Sequence, residues 1–140
     1  MLRIALGLLV VFGVVSADAA ELQARLIRAT NDVDKPDDRL RDIQKGLKKK
    51  FGYERSVQLG DQRASLAAKS PQRLNLGEGF VVFVTPKSVA KSTHEMDIEW
   101  TSGRASLVKS TVKIATKNTL FVKGPAVGND WIVLALTVRE

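Results

Sequence analysis

The sequence predicts an α+β domain: one amphipathic helix packed on a mainly antiparallel sheet of about eight strands, folded over as a two-layer sandwich or partial barrel. Three observations lead there. Apolar residues recur at helical spacing between Pro36 and Phe51. Beyond Gly52 the period changes to two, in short runs separated by clusters that suit turns. No second helical stripe follows, and an open ferredoxin-like arrangement would need one.

The segment MLRIALGLLVVFGVVSADAA precedes that domain. Arg3 supplies a positive charge, Ile4 to Val15 is uncharged, and Ala17 and Ala19 present the small side chains that signal peptidase requires. A helix of about 12 residues spans about 18 Å, short of the ~30 Å hydrocarbon core, so no permanent membrane span is expected. Gly7, Gly13 and the lack of a polar face argue against a core helix. The reading is a signal peptide over 1–19, cut between Ala19 and Ala20, then a single β-rich globular domain over 20–140 that is periplasmic or secreted. With no cysteine in the sequence, neither a lipid-bearing cysteine nor a disulfide framework is available, and stability must come from an ordinary core.

Each element has a local reason. In ELQARLIRAT, Leu22, Ala24 and Leu26 alternate with Gln23 and Arg25, which describes a strand with one buried face. Asp34 is expected to cap the helix that follows, with Pro36 in its first turn. Leu40, Ile43, Leu47 and Phe51 form its apolar stripe, and Gly46 leaves room for close approach to a sheet. Gly52 suits the left-handed residue that closes a helix. Tyr53–Leu59 and Ala64–Ala68 read as two strands joined tightly at Gly60-Asp61. Gly77-Glu78-Gly79 turns the chain into Phe80–Val84, apolar on both parities and so expected to be central or covered on both faces. Met96, Ile98 and Trp100 point inward between Glu95, Asp97 and Glu99. The apolar parity then switches between Leu107 and Val108, the mark of a bulge. TLFVKG leads through a loop, GPAVGND, to WIVLALTV, apolar on both faces and hence a central strand.

Lys and Arg number 22 against 15 Asp and Glu, and removing Arg3 and Asp18 with the leader keeps the net charge at +7. Such a surface favours anionic partners. Nucleic acid is set aside, because an exported protein rarely meets it and an aromatic content of 6% is thin for base stacking. The densest basic cluster is Lys45, Lys48, Lys49 and Lys50, with Arg55 nearby. At about 1 kcal/mol each near an anionic leaflet, three or four lysines give only millimolar binding, enough to orient but not to anchor. The same lysines complement the negative end of the helix. Glu95, Asp97 and Glu99 make an acidic stripe that reads as the wet face of an edge strand, pairing with Lys109 and Lys113 on the next strand or meeting a basic partner.

Catalytic constellations are sparse. His94 is the one histidine, expected on the surface or at an edge, and with no cysteine a zinc site of the usual kind is not expected. Ser92 and Glu95 are only its sequence neighbours, whereas triad partners converge from separate segments. Asp32, Asp34, Asp37 and Asp38 offer oxygen ligands for calcium, but the loop lacks the glycine and terminal glutamate of an EF-hand. The carboxylates of the stripe would hydrolyse glycosides only if they flanked a cleft. LGEGF and KGPAVGNDW lack the Lys-Ser/Thr ending of a phosphate loop. No cofactor is expected.

LQARLIRATN, LKKKFGY and TLFVKGPAVGNDWIVLALTV are similar in layout to segments of small uncharacterised exported bacterial proteins. The last phrase, residues 119–138, also resembles the closing strands of secretin-type outer-membrane pore proteins. The resemblance implies an envelope setting near a secretion or surface complex, and it carries over no functional residues. The expectation is a non-enzymatic interaction module of the bacterial envelope, binding an envelope protein or anionic surface through Lys45, Lys48, Lys49 and Lys50 and through Glu95, Asp97 and Glu99. The alternative is a small carbohydrate-binding or carbohydrate-cleaving β-domain using Trp100, Trp131 and the carboxylates. A purely structural subunit is a third reading.

Overall fold

A computed structural model describes residues 20–67 and 70–140, so the leader and Ala68 lie outside the described residues. The strands are β1 (Glu21–Thr30), β2 (Arg55–Ser65), β3 (Gln72–Gly77), β4 (Phe80–Ala90), β5 (Thr93–Ser102), β6 (Ala105–Ala115), β7 (Thr119–Val127) and β8 (Asp130–Arg139). A 3-10 turn at Asp38–Leu40 and one helix, α1 (Gln44–Phe51), separate β1 from β2. The strands form two four-stranded antiparallel sheets instead of one sheet of eight: sheet A in the order β2-β1-β8-β7 and sheet B in the order β3-β4-β5-β6. Strands adjacent in sequence pair with each other except across β2/β3 and β6/β7, and the first strand pairs with the last. Those two unpaired seams leave a sandwich and not a closed barrel.

Period-two alternation explains the main core. Leu22, Leu26, Leu74, Leu76, Val82, Val84, Met96, Ile98, Trp100, Leu134 and Leu136 point between the sheets and are buried. A second cluster lies on the outward side of sheet A, where Ile27, Ala29, Val133 and Ala135 meet Leu40, Ile43 and Leu47. The molecule is therefore helix on sheet A on sheet B, and β8 is central and buried on both faces, as its composition predicts.

The helical segment is shorter than the apolar stripe implies. Asp37 is extended (φ −81°, ψ 116°), and it, not Asp34, supplies the cap. Its Oδ1 accepts the Arg39 N–H at 3.0 Å while Oδ2 accepts the Gln58 N–H of β2 at 2.9 Å, and a residue tied to a strand this way cannot continue a helix. Regular α-helix starts only at Gln44 and stops at Gly52 (φ 78°), whose N–H bonds to the Lys48 carbonyl at 2.8 Å. Gly46 does sit against the sheet: a Cβ there would lie 2.9 Å from the Phe121 ring.

Three strands depart from expectation. β2 is one continuous strand, not two joined at Gly60-Asp61. It bulges at Leu59, since Leu26 faces Gly60 while Ile27 faces Gln58, and Gly60 then passes directly against β3. β7 runs on through the expected loop as far as Val127, with its register broken between Lys123 and Ala126. Pro125 has no N–H to give a ladder, and an edge strand tolerates that. β4 is central, yet its outward face is open, with Phe83 37% exposed. The parity switch in β6 is a bulge at Leu107, because Trp100 faces Val108 and Thr101 faces Ser106.

β1 is buried on both faces, and the physical cause is α1 and the turns before it. Gln23 and Arg25 were expected to meet water and instead lie beneath that layer. Arg25, its side chain 3% exposed, makes a two-pronged bond to Asp42 at 2.9 and 3.0 Å. Arg139 reaches the same carboxylate at 3.6 Å and donates to Gln23 at 3.0 Å, while Gln23 donates to Asp61. The network pins the linker before α1 to three strands of sheet A. The Arg25 hydrogen bond holds the Asp42 carboxyl below its ordinary range. Asp37, bonded above all by the Arg39 side chain, falls from 3.8 to about 2. Carboxylates depressed in the folded state add stability above their unfolded pKa and lose it as pH falls through the folded value. Stability is therefore expected to be level from neutral pH down to about 5 and to drop between about 4 and 2. Urea unfolding at stepped pH checks this, and Asp37→Asn should reduce the slope in that window.

Candidate functional site

The residues singled out in the sequence fall on opposite sides of the sandwich. Lys45, Lys48, Lys49 and Lys50 are exposed on α1, above the outward face of sheet A. Glu95, Asp97 and Glu99 project from the outward face of sheet B. They are two surfaces and not one site.

On the helix side, the nearby carboxylates are mostly engaged. Asp37 holds Arg39 at 2.7 Å, Asp38 holds Arg41 at 3.3 Å, Asp42 holds Arg25, and Glu54 holds Lys48 Nζ at 3.0 Å. The Lys48 bond lowers the Glu54 pKa. Among the described residues no carboxylate lies within 4.0 Å of Lys45, Lys49 or Lys50. The positive charge is thus concentrated on these three, but not at one end as expected: Lys45 lies in the first turn of α1 and Lys49 and Lys50 in the last, because regular helix begins only at Gln44.

Sheet B is different. β5 is not an edge strand but lies between β4 and β6, and its acids are half-buried. Glu95 stands opposite Lys113, Asp97 opposite Thr111 and Glu99 opposite Lys109. Thr111 Oγ1 donates to Asp97 at 2.5 Å, Lys87 Nζ lies 4.0 Å from the same carboxylate, and Ser88 donates to Glu95 at 3.1 Å. A charged stripe survives in mid-sheet because lysines flank it. The surface dips into an open depression of about 460 Å³ bounded by Phe83, Thr85, Asp97, Glu99, Lys109 and Thr111. Phe83 was not picked out as a surface residue, since the run Phe80–Val84 gives no sign of which parity stays uncovered.

His94 is a correction. It is buried on the inward parity of β5, and its Nε2 has no hydrogen-bond partner among the described residues, with the Glu140 carboxylate 3.7 Å away. Inward His94 and outward Glu95 lie on opposite faces of one strand, so they cannot serve one catalytic centre. Trp100 is fully buried between the sheets. Trp131 packs against the α1 cluster with Lys123 Nζ 3.8 Å from its ring centroid. The tryptophans and the carboxylates of the carbohydrate reading therefore face three different environments. Among the described residues no group of three or more His, Asp or Glu is placed to hold a metal ion, and no helix is long and apolar enough to cross a membrane. No family model, curated protein or solved structure significantly matches this chain.

Proposed function

We propose that the chain is an exported, non-catalytic binding module of the cell envelope that docks an acidic protein or anionic surface through the exposed lysines of α1. The observation that carries this reading is the charge left over on the helix: among the described residues Lys45, Lys49 and Lys50 have no carboxylate within 4.0 Å, while the acids around them hold other partners. Export rests on the leader sequence, which lies outside the described residues. Exposed lysines keep most of their hydration in such a contact and are screened by salt, so the contact is weak and fast. Lys45→Gln, Lys49→Gln and Lys50→Gln together are expected to reduce capture from envelope extracts about tenfold or more at low salt, while moving the melting temperature by less than about 2 °C. Unchanged capture would rule out these lysines as the contact.

A further inference from the structure

We propose that two copies of this chain associate face to face through the open side of sheet B, about a two-fold axis that runs along the strands between β5 and β6. The argument is the register of the charges. On this face β5 carries Glu95, Asp97 and Glu99, and β6 carries Lys113, Thr111 and Lys109 in the matching rows. A rotation about an axis parallel to the strands keeps each row at its own height and exchanges the two strands. Glu95 of the second copy then sits over Lys113 of the first, Glu99 over Lys109 and Asp97 over Thr111, and each contact occurs twice, as a two-fold interface requires. A foreign partner would have to match this two-strand pattern by coincidence, whereas a second copy matches it by construction.

The charges remain available for such a contact. Neither Glu95 with Lys113 nor Glu99 with Lys109 closes to 4.0 Å within the chain, although each pair is directly opposed in the ladder. Both lysines are therefore free to reach outward. Twisted sheets stack readily about 10 Å apart, within reach of lysine and glutamate side chains extending from both copies. Two strands about 10 Å wide and about 33 Å long fall well short of the ~800 Å² per partner of a tight complex, so the association is weak and salt-sensitive. The stacking leaves both α1 helices on the outer poles of the dimer, pointing away from each other, so their lysines stay accessible whatever they bind.

Charge exchange tests this. Glu95→Lys with Glu99→Lys leaves Asp97 as the one acid in these rows of β5 and β6, and Lys109→Glu with Lys113→Glu removes both lysines from β6. In sedimentation velocity at about 0.5 mM protein and about 20 mM salt, the unaltered chain is expected to show a concentration-dependent dimer that dissociates at about 0.5 M salt. Each variant alone is expected to be monomeric, and an equimolar mixture of the two is expected to form a heterodimer, since their faces are complementary strand for strand. A separate check avoids the altered charges: the sequence has no native cysteine, so Thr111→Cys provides a single thiol near the axis. A short bis-maleimide should bridge it to a second copy at low salt and not at high salt. A monomeric unaltered chain at 0.5 mM, a dimer indifferent to both reversals, a mixture that stays monomeric, or no bridging at position 111 would each overturn the proposal.

Discussion

Replacing Gly60 by alanine is expected to destabilise the protein by about 3 kcal/mol and to lower its melting temperature by roughly 10 °C. A Cβ at this position would lie 2.0 Å from the Leu76 carbonyl oxygen and 2.9 Å from its carbon. Those are backbone atoms of β3, so no rotamer change relieves the contact, and β2 must move away from β3. The seam between these strands has no ladder to hold it, and separating them exposes the core beneath, where Leu74 and Leu76 are buried. Gly60 is not at positive φ, so the cost is one of space and not of conformation. Gly52→Ala is the contrast: φ is 78° there and nothing lies within 4 Å of the added Cβ, so only about 1 kcal/mol of backbone strain is expected. Thermal melts of the two variants separate the explanations.

Trp100→Ala is expected to cost about 4–5 kcal/mol, a large fraction of the ~5–15 kcal/mol by which ordinary domains are stable. Trp100 is 0% exposed and ranks first by volume among the fully buried side chains. Its ring packs on Phe80, with centroids 5.9 Å apart, and reaches across the sandwich to β7, where a Cβ on Gly124 would lie 2.3 Å from the ring. The indole Nε1 is buried without a hydrogen-bond partner among the described residues, so the contacts that hold the side chain are those of its size and shape. Trp100→Phe removes that unpaired group and is expected to cost well under half as much as the alanine change. Gly124→Ala should be strongly destabilising in the native background and clearly less so with Phe at 100, because the clash is with the outer ring atoms. A double-mutant cycle by urea unfolding measures the coupling.

The sequence shows local features well and long-range cover poorly. The bulge at Leu107 was legible because a parity switch lies within a few residues, as were the turn at Gly77-Glu78-Gly79, the closing Gly52 and the inward row Met96, Ile98 and Trp100. Gly60 was misread as a turn because its real constraint, the Leu76 carbonyl, comes from a different strand. Arg25 looks like a solvent-facing residue until α1 and its linker are placed over β1, and only then does Asp42 become its partner. The charged alternation of β5 is the same whether the strand is edge or centre, since what permits it in mid-sheet is lysine on β6, a fact of register. His94 follows the inward parity of Met96 and Ile98, a signal present in the pattern but outweighed by the habit of placing a lone histidine at the surface. Of the candidate site, the residue types were readable; that the basic and acidic groups lie on opposite poles was not, because it depends on which sheet the helix covers.

Site-specific photocrosslinking in intact cells tests the account most directly, with a photoreactive residue placed at position 49 in one strain and at position 97 in another. The expected result is an adduct between position 49 and an acidic envelope component, and at position 97 an adduct of twice the chain's own mass. Adducts from position 49 formed only with cytosolic proteins, or no adduct from that position, would contradict an exported module that docks through the lysines of its helix.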